Sequence, residues 1–203
     1  MPLPNPPEGT SLSEYFESWL PGQLSGIRDV LKQKAPELHL KVGFRAEGEE
    51  GGDWSMIIKN GELSFQKGLS DDCMVIFILS DRDFQDVISG KRQMMPMGGQ
   101  AKKGGEEIQP ERLAKRLKKT AESVKEIKGM IEFAVKGEEE PDFSARINFG
   151  PLLDKPTVKI GLSEADMKAM QKGELNPQTA FMQGKMKIEG DFSFLLQLAP
   201  LMT

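Results

Sequence analysis

One plan of elements occurs twice in this 203-residue chain, in the same order each time, and that recurrence limits the fold more than any single motif. In the first copy Leu38, Leu40, Val42 and Phe44 alternate with polar residues, the period of a half-buried strand. An acidic, glycine-bearing turn runs through Gly52. Trp54, Met56 and Ile58 resume the alternation, and Asn60-Gly61 marks a hairpin before Leu63 and Phe65. Met74 to Leu79 is apolar on both faces, as in a central strand. Ser80-Asp81-Arg82-Asp83 then caps a short helix that turns Phe84, Val87 and Ile88 inward and closes at Gly90.

The second copy follows a helix predicted from Pro110 to about Ile127. Ile131, Phe133 and Val135 alternate, and Lys136-Gly137-Glu138-Glu139 resembles the earlier turn Glu47-Gly48-Glu49-Glu50. Phe143, Ala145 and Ile147 are expected where the first copy has Trp54, Met56 and Ile58. Val158, Ile160 and Leu162 lead into a second cap, Ser163-Glu164-Ala165-Asp166, and Met167, Met170 and Gly173 repeat the spacing of Phe84, Val87 and Gly90. The copies differ at their ends. The first runs into Met94-Met95-Pro96-Met97-Gly98-Gly99 and a Lys/Gly/Glu linker. The second continues to a strand at Lys185 to Ile188 and an apolar helix from Phe192 to Met202.

Ahead of both copies, Ser11-Leu12-Ser13-Glu14 reads as a capping box. Its helix places Leu12, Tyr15, Phe16 and Trp19 on one side, with Pro21 as the expected stop. A second helix through Leu24, Ile27, Val30 and Leu31 should end before Pro36.

Composition removes several function classes. Basic residues number 27 against 31 acidic, a formal net charge of −4, which lacks the basic footprint of a nucleic-acid binder. Cys73 is the single cysteine, so neither an internal disulfide nor a cysteine-rich zinc site can form, and its apolar setting predicts a buried, inert thiol. His39 is the single histidine and alternates with Leu38 and Leu40, so it is expected to face solvent. No Gly-x-Ser-x-Gly elbow or phosphate loop is present. Asp81 with Asp83, and Glu164 with Asp166, read as helix caps before they read as catalytic carboxylates. No enzyme activity and no cofactor are expected. The proline-rich start has no basic flank or apolar core, and no apolar run nears the roughly 20 residues of a membrane span, so a cytoplasmic protein is expected.

A family resemblance enters with Asn176-Pro177-Gln178-Thr179-Ala180-Phe181-Met182-Gln183-Gly184-Lys185-Met186-Lys187-Ile188-Glu189-Gly190-Asp191. This stretch closely resembles the sterol carrier protein 2 (SCP2) domain family. Gly173, Pro177, Ala180, Phe181, Gly184, Lys185, Lys187, Ile188 and Gly190 match its signature, with Met186 for the usual leucine. Trp54 to Gly61 and Asp72 to Lys91 resemble the family's hairpin and strand-cap-helix segments. The resemblance implies an α+β fold, a mostly antiparallel five-stranded sheet covered by helices on one face. It also implies an apolar tunnel for fatty acids, acyl-CoA, sterols, phospholipids or isoprenoid quinone precursors. One such set is usual and two are present here. Two tandem repeats, or one enlarged domain with upstream strands from the first copy, both account for this. The tandem division is taken as the expectation: a flexible arm 1–10, a repeat 11–100 with a truncated end, a linker 101–109, and a repeat 110–203 with the signature.

On that resemblance the expected tunnel residues are Phe133, Phe143, Met167, Met170, Phe181, Met182, Met186, Ile188, Phe192, Phe194, Leu195, Leu198 and Trp54. The last helix is apolar over more than the roughly 100° that a surface helix needs, and methionines suit ligands of varied shape. Arg112, Lys115, Arg116 and Lys119 lie opposite Leu113, Leu117, Val124 and Ile127, so they form either a solvated face or a docking face for an anionic membrane. The implied partners are a lipid-like small molecule, a transient membrane surface and an enzyme, with no nucleic acid. The alternative to a carrier is an accessory module of a lipid or quinone pathway enzyme complex.

Overall fold

The computed structural model describes residues 5–92, 110–139, 141–198 and 201. The methionine-rich run from Met94 to Gly99 and the linker expected at 101–109 lie outside these.

The Ser11 box forms as expected. Ser11 Oγ accepts from Glu14 N at 3.2 Å and the Glu14 carboxylate accepts from Ser11 N at 3.0 Å, opening α1 (Leu12–Glu14). Pro21 does not end the helix. Tyr15–Trp19 is a π-helical turn in which Leu20 N donates to Tyr15 O, and α2 (Leu20–Gln23) holds Pro21 in its first turn. Proline breaks a helix by lacking an N–H and by clashing with the carbonyl four residues back. The wider π turn just before it moves that carbonyl away. The described part of the N-terminal arm is tied down: Asn5 Nδ2 donates to Ser89 O at 3.1 Å, and Gln85 Nε2 donates to Thr10 O at 2.9 Å.

After α3 (Ile27–Lys34) come β1 (Leu40–Glu47), β2 (Gly52–Lys59), β3 (Glu62–Lys67), β4 (Val75–Ser80) and α4 (Asp81–Ile88). Then follow α5 (Pro110–Val124), β5 (Gly129–Lys136), β6 (Phe143–Phe149), β7 (Val158–Ser163), α6 (Glu164–Gln171), α7 (Pro177–Met182), β8 (Lys187–Gly190) and α8 (Phe192–Leu198). The β2–β3 hairpin turns at Asn60 (φ 53°) and Gly61 (φ 73°), the paired left-handed conformation that Asn-Gly favours.

The expected five strands are corrected to eight among the described residues, in one sheet ordered β3-β2-β1-β4-β6-β5-β7-β8. β1 and β4 run parallel, as do β5 and β7, and every other pair is antiparallel. The copies join because β4, apolar on both faces, hydrogen-bonds β1 on one side and β6 on the other. A strand with that pattern is stable only when flanked, and the second copy supplies the flank.

The two copies share the order β2-β1-β4 and β6-β5-β7. Phe44 pairs with Trp54 and Phe77, and Phe133 pairs with Ala145 and Ile160. Ala145 therefore occupies the place of Trp54, and Ile147 and Phe149 those of Met56 and Ile58. The expected correspondence was one strand pair out of step. A slip of two residues leaves every side chain on the same face, so alternation alone cannot detect it. One clamp also recurs. Asp81, the first residue of α4, accepts from Glu50 N at 3.0 Å, and Glu164, the first residue of α6, accepts from Glu138 N at 2.8 Å and Glu139 N at 3.1 Å. Ser80 and Ser163 cap the same helices by accepting from Asp83 N and Asp166 N.

All the helices contribute to the core on one face of the sheet. Under α1 to α4 the core is aromatic: Phe16 stacks on Trp54 with ring centres 4.8 Å apart and meets Phe44 and Phe84. Under α6 to α8 it is built from Ile131, Phe133, Ile147, Val158, Ile160, Met186 and Phe194. Val135, Phe143 and Ala145 belong to the first cluster, so the copies share their interior. Across the opposite face, strand pairing sets Asp53, Arg45, Ile78, Arg146, Glu132, Lys159 and Glu189 side by side. Arg45 grips Asp53 with two bonds of 2.9 Å, Arg146 pairs with Glu47, and Lys159 reaches Glu132 at 2.9 Å.

Candidate functional site

The structure divides the expected tunnel residues into three groups. Phe133, Met170, Met186, Ile188, Phe194, Leu195 and Leu198 meet in the C-terminal cluster between the sheet and α6 to α8. Trp54, Phe143 and Met167 belong to the other cluster. Trp54 is sealed beneath Phe16 and donates from Nε1 to Glu17 at 3.1 Å, while the Phe143 ring carries the Arg92 guanidinium 5.5 Å from its centre. Phe181, Met182 and Phe192 face solvent.

The C-terminal group is closed by α8. Its Phe194 ring lies against Gly129 (φ 150°), where an added Cβ would sit 2.5 Å from the ring, and meets Phe149 edge-on at 6.3 Å. Only glycine lets the ring approach the first residue of β5 this closely. Leu198 is buried one turn further on, whereas Phe192 and Leu196, one turn apart on another side of α8, are 52% and 63% exposed. On α7, Ala180 is fully buried beside Met182, which is 79% exposed. The closing helices thus have an inner apolar face that fills the core and an outer one without a partner among the described residues.

Arg112, Lys115, Arg116 and Lys119 all project into solvent from α5, and among the described residues none has an ion-pair partner. Their spacing confines them to roughly a 100° arc of the helix. Lys118, off that arc, is held by Glu37 at 2.8 Å, which lowers the Glu37 carboxyl and raises the Lys118 ammonium pKa. An open cleft of ≈ 290 Å³ between α3 and α5 is lined by Lys34, Ala35, Glu111, Ala114, Lys115 and Lys118.

The titratable groups do not converge. His39 is exposed, with Nε2 3.3 Å from Asn60 Oδ1. Cys73 is buried 3.9 Å from Ser55 Oγ, and burial pushes its thiol pKa up, away from the reactive thiolate. Asp81 and Glu164 hold the clamps described above, and the Asp166 carboxyl is held below its ordinary range by the Ser163 hydroxyl and then by Lys185. Among the described residues no helix is long and apolar enough to cross a membrane.

Sequence reasoning missed Asn148 and the loop it organises. Asn148 is 0% exposed and spends its amide on the β6–β7 connection, where Leu152 and Leu153 stand out in solvent. Asn148 two residues ahead of Gly150-Pro151 was the available signal, since asparagine commonly bonds the backbone of a turn.

Residues 111–203 match the model of the SCP-2 sterol transfer family. The C-terminal half is SCP2-like. Sterol carrier protein 2 of Bos taurus is 36% identical over 84 residues, covering 37% of this chain and 16% of that protein. Hydroxysteroid dehydrogenase-like protein 2 of Xenopus tropicalis is 31% identical over 84 residues, covering 38% and 20%. The chain therefore spans a fifth or less of the length of these curated relatives. Among solved structures, the sterol carrier protein domain 2 of Helicoverpa armigera is 28% identical, covering 45% of this chain and 84% of that one, with a TM-score of 0.33. The SCP2-like half contains α5 to α8 and hence both the basic stripe and the α8 closure. The N-terminal half lies outside the match, and its likeness to the SCP2-like half rests on strand order, caps and clamps.

Proposed function

We propose that the chain binds a lipid-like molecule non-covalently in its C-terminal half, between the sheet and α7–α8, and carries out no catalysis. The observation that carries this reading is the coincidence of the SCP-2 match with a helix pair that is apolar inside and outside. The ligand classes are those with a long apolar body: fatty acid, acyl-CoA, sterol, phospholipid or isoprenoid. Such a body gains roughly 0.8 kcal/mol per buried methylene. A bilayer offers nearly the same gain, so exchange between protein and membrane is close to balanced, as transfer requires.

Access comes through α8. Phe194 and Leu198 stand where an acyl chain would lie, so the bound state has α8 displaced and the ligand in their place. Phe192 and Leu196 already face solvent and lose no packing when the helix moves, so the cost falls on buried Phe194 and Leu198, which the incoming chain offsets by taking their place. The exposed stripe Arg112, Lys115, Arg116 and Lys119 would dock the protein on anionic lipid, each charge near such a surface contributing about 1 kcal/mol. The isolation of His39 and the suppressed reactivity of Cys73 support a purely binding role.

Native mass spectrometry of the full chain, with displacement of a fluorescent fatty acid, tests the reading. Retained lipid and saturable displacement are expected. Absence of both would sink it.

A further inference from the structure

The β6–β7 connection displays two leucines on a braced frame. Leu152 is 42% and Leu153 39% exposed. Below them Asn148 Nδ2 donates to Gly150 O at 3.0 Å and Pro151 O at 3.1 Å, and its Oδ1 accepts from Leu153 N at 3.1 Å. The base of the loop is pinned on both sides, Gly150 N donating to Met74 O at 3.0 Å and Thr157 N to Met130 O at 2.7 Å. Asp191 N donates to Thr157 O at 2.9 Å, so α8 begins against the same base, and half-exposed Phe192 follows directly.

We propose that Leu152, Leu153 and Phe192 form a shallow wedge that enters the interfacial layer of a lipid bilayer when the protein exchanges its ligand. The proposal rests on the lipid-binding reading above and adds the surface through which exchange occurs. Three features select a bilayer. The three half-exposed side chains offer roughly 250 Å², far below the ~800 Å² per partner that a stable protein interface needs, whereas interfacial insertion needs only a few apolar tips. The frame is already rigid, so little conformational entropy is lost on insertion. Around the tips, Asp154 and Asp191 balance Lys155 and Lys128, the last lying beside Gly150, so the wedge carries no charge preference of its own. It therefore acts on zwitterionic lipid, where the α5 stripe gains nothing. Docking by the wedge also brings the start of α8, the proposed moving element, to the membrane.

The test uses the full chain and phosphatidylcholine vesicles in about 0.5 M salt, which screens the α5 stripe. Wild-type protein should float with the vesicles, and the L152D/L153D variant should bind at least about tenfold more weakly. A polarity-sensitive dye on Leu152→Cys should shift to the blue on vesicle addition, the native Cys73 being buried and shielded from labelling. Equal flotation of both proteins, no flotation of wild type, or no spectral shift would overturn the wedge. Loss of wild-type self-association in the variant on size exclusion would also overturn it, assigning the patch to a second copy. Fatty-acid displacement without vesicles should be the same for wild type and variant. If neither protein displaces the fatty acid, the lipid-binding reading falls, while flotation still decides the wedge.

Discussion

The two halves share three strands, in the orders β2-β1-β4 and β6-β5-β7, with their caps and clamps, yet they close their cores differently. The N-terminal copy uses aromatic stacking: Phe16 lies over Trp54, against Phe44 and Phe84, and Phe44 stacks on Phe77 at 5.8 Å. The C-terminal copy has Ala145 in the place of Trp54 and relies on Phe194 reaching down from α8. One core is sealed by rings from the π-helical turn, β1, β2, β4 and α4. The other is sealed by a short terminal helix with half its apolar surface outside. The same frame thus carries a core sealed by stacked rings in one half and by a single short helix in the other, and the proposed ligand would enter through the second.

Phe16→Ala should break the comparison most severely. It removes a fully buried ring from the centre of the aromatic stack, and a loss of about 4 kcal/mol is expected, read as a lower urea midpoint for the whole sheet because the copies share one interior. Loss confined to the first copy, with the second still folding at its original midpoint, would show that the copies are energetically separate.

Phe194→Ala should cost about 3 kcal/mol and have an opposite effect on binding. Truncating the ring weakens the closed position of α8 and raises the population of the binding-competent state. Apparent affinity scales with that population, so the fluorescent fatty acid should bind at least about threefold more tightly. Weaker binding would mean that Phe194 belongs to the ligand site and does not merely occupy it.

How much of this contrast was legible in the residues follows from what periodicity records. Alternation and capping placed β1, β2, β4 and α4, and their counterparts in the second copy, because a half-buried strand and a capped helix leave local marks. Strand order left none: nothing local says that Ile76 will face Asn148. The correspondence of Trp54 with Ala145 was hidden by the period of two, and the π turn ahead of Pro21 by the absence of any residue type that demands it. In the candidate site, the SCP2 signature led to Met186 and the apolar last helix to Phe194 and Leu198, which do meet. Trp54 was included through the likeness of Trp54 to Gly61 to the family's hairpin, which says nothing about which core it enters.

The clamps sharpen the comparison at lower energy. Glu164 is buried and accepts two backbone N–H groups and an ion pair with Lys168, while Asp81 is half-buried and accepts one from the acidic turn. Glu164→Gln should therefore cost about 1–2 kcal/mol, and Asp81→Asn less than about 1 kcal/mol. Thermal unfolding of the two variants side by side checks the order, and equal losses would show that burial of the carboxylate is irrelevant to the clamp.

The smallest effect concerns Asp166, which caps with Ser163 and also meets Lys185 at 3.2 Å, a partner from the SCP2 signature. Its carboxyl is held below the ordinary 3.8, first by the Ser163 hydroxyl and then by Lys185. A depressed carboxylate stabilises the fold at pH values above its unfolded pKa, and the contribution fades as pH falls through the folded value. Lys185→Ala should thus lower stability by about 0.2–1 kcal/mol at neutral pH and by nothing once Asp166 is protonated in both states. The Asp166 titration, followed by carboxyl NMR, should move upward in the variant yet stay below 3.8, because the Ser163 bond persists. A midpoint at or above 3.8 would make Lys185 the main cause, and the signature lysine would then be a structural brace for α6 rather than a minor partner.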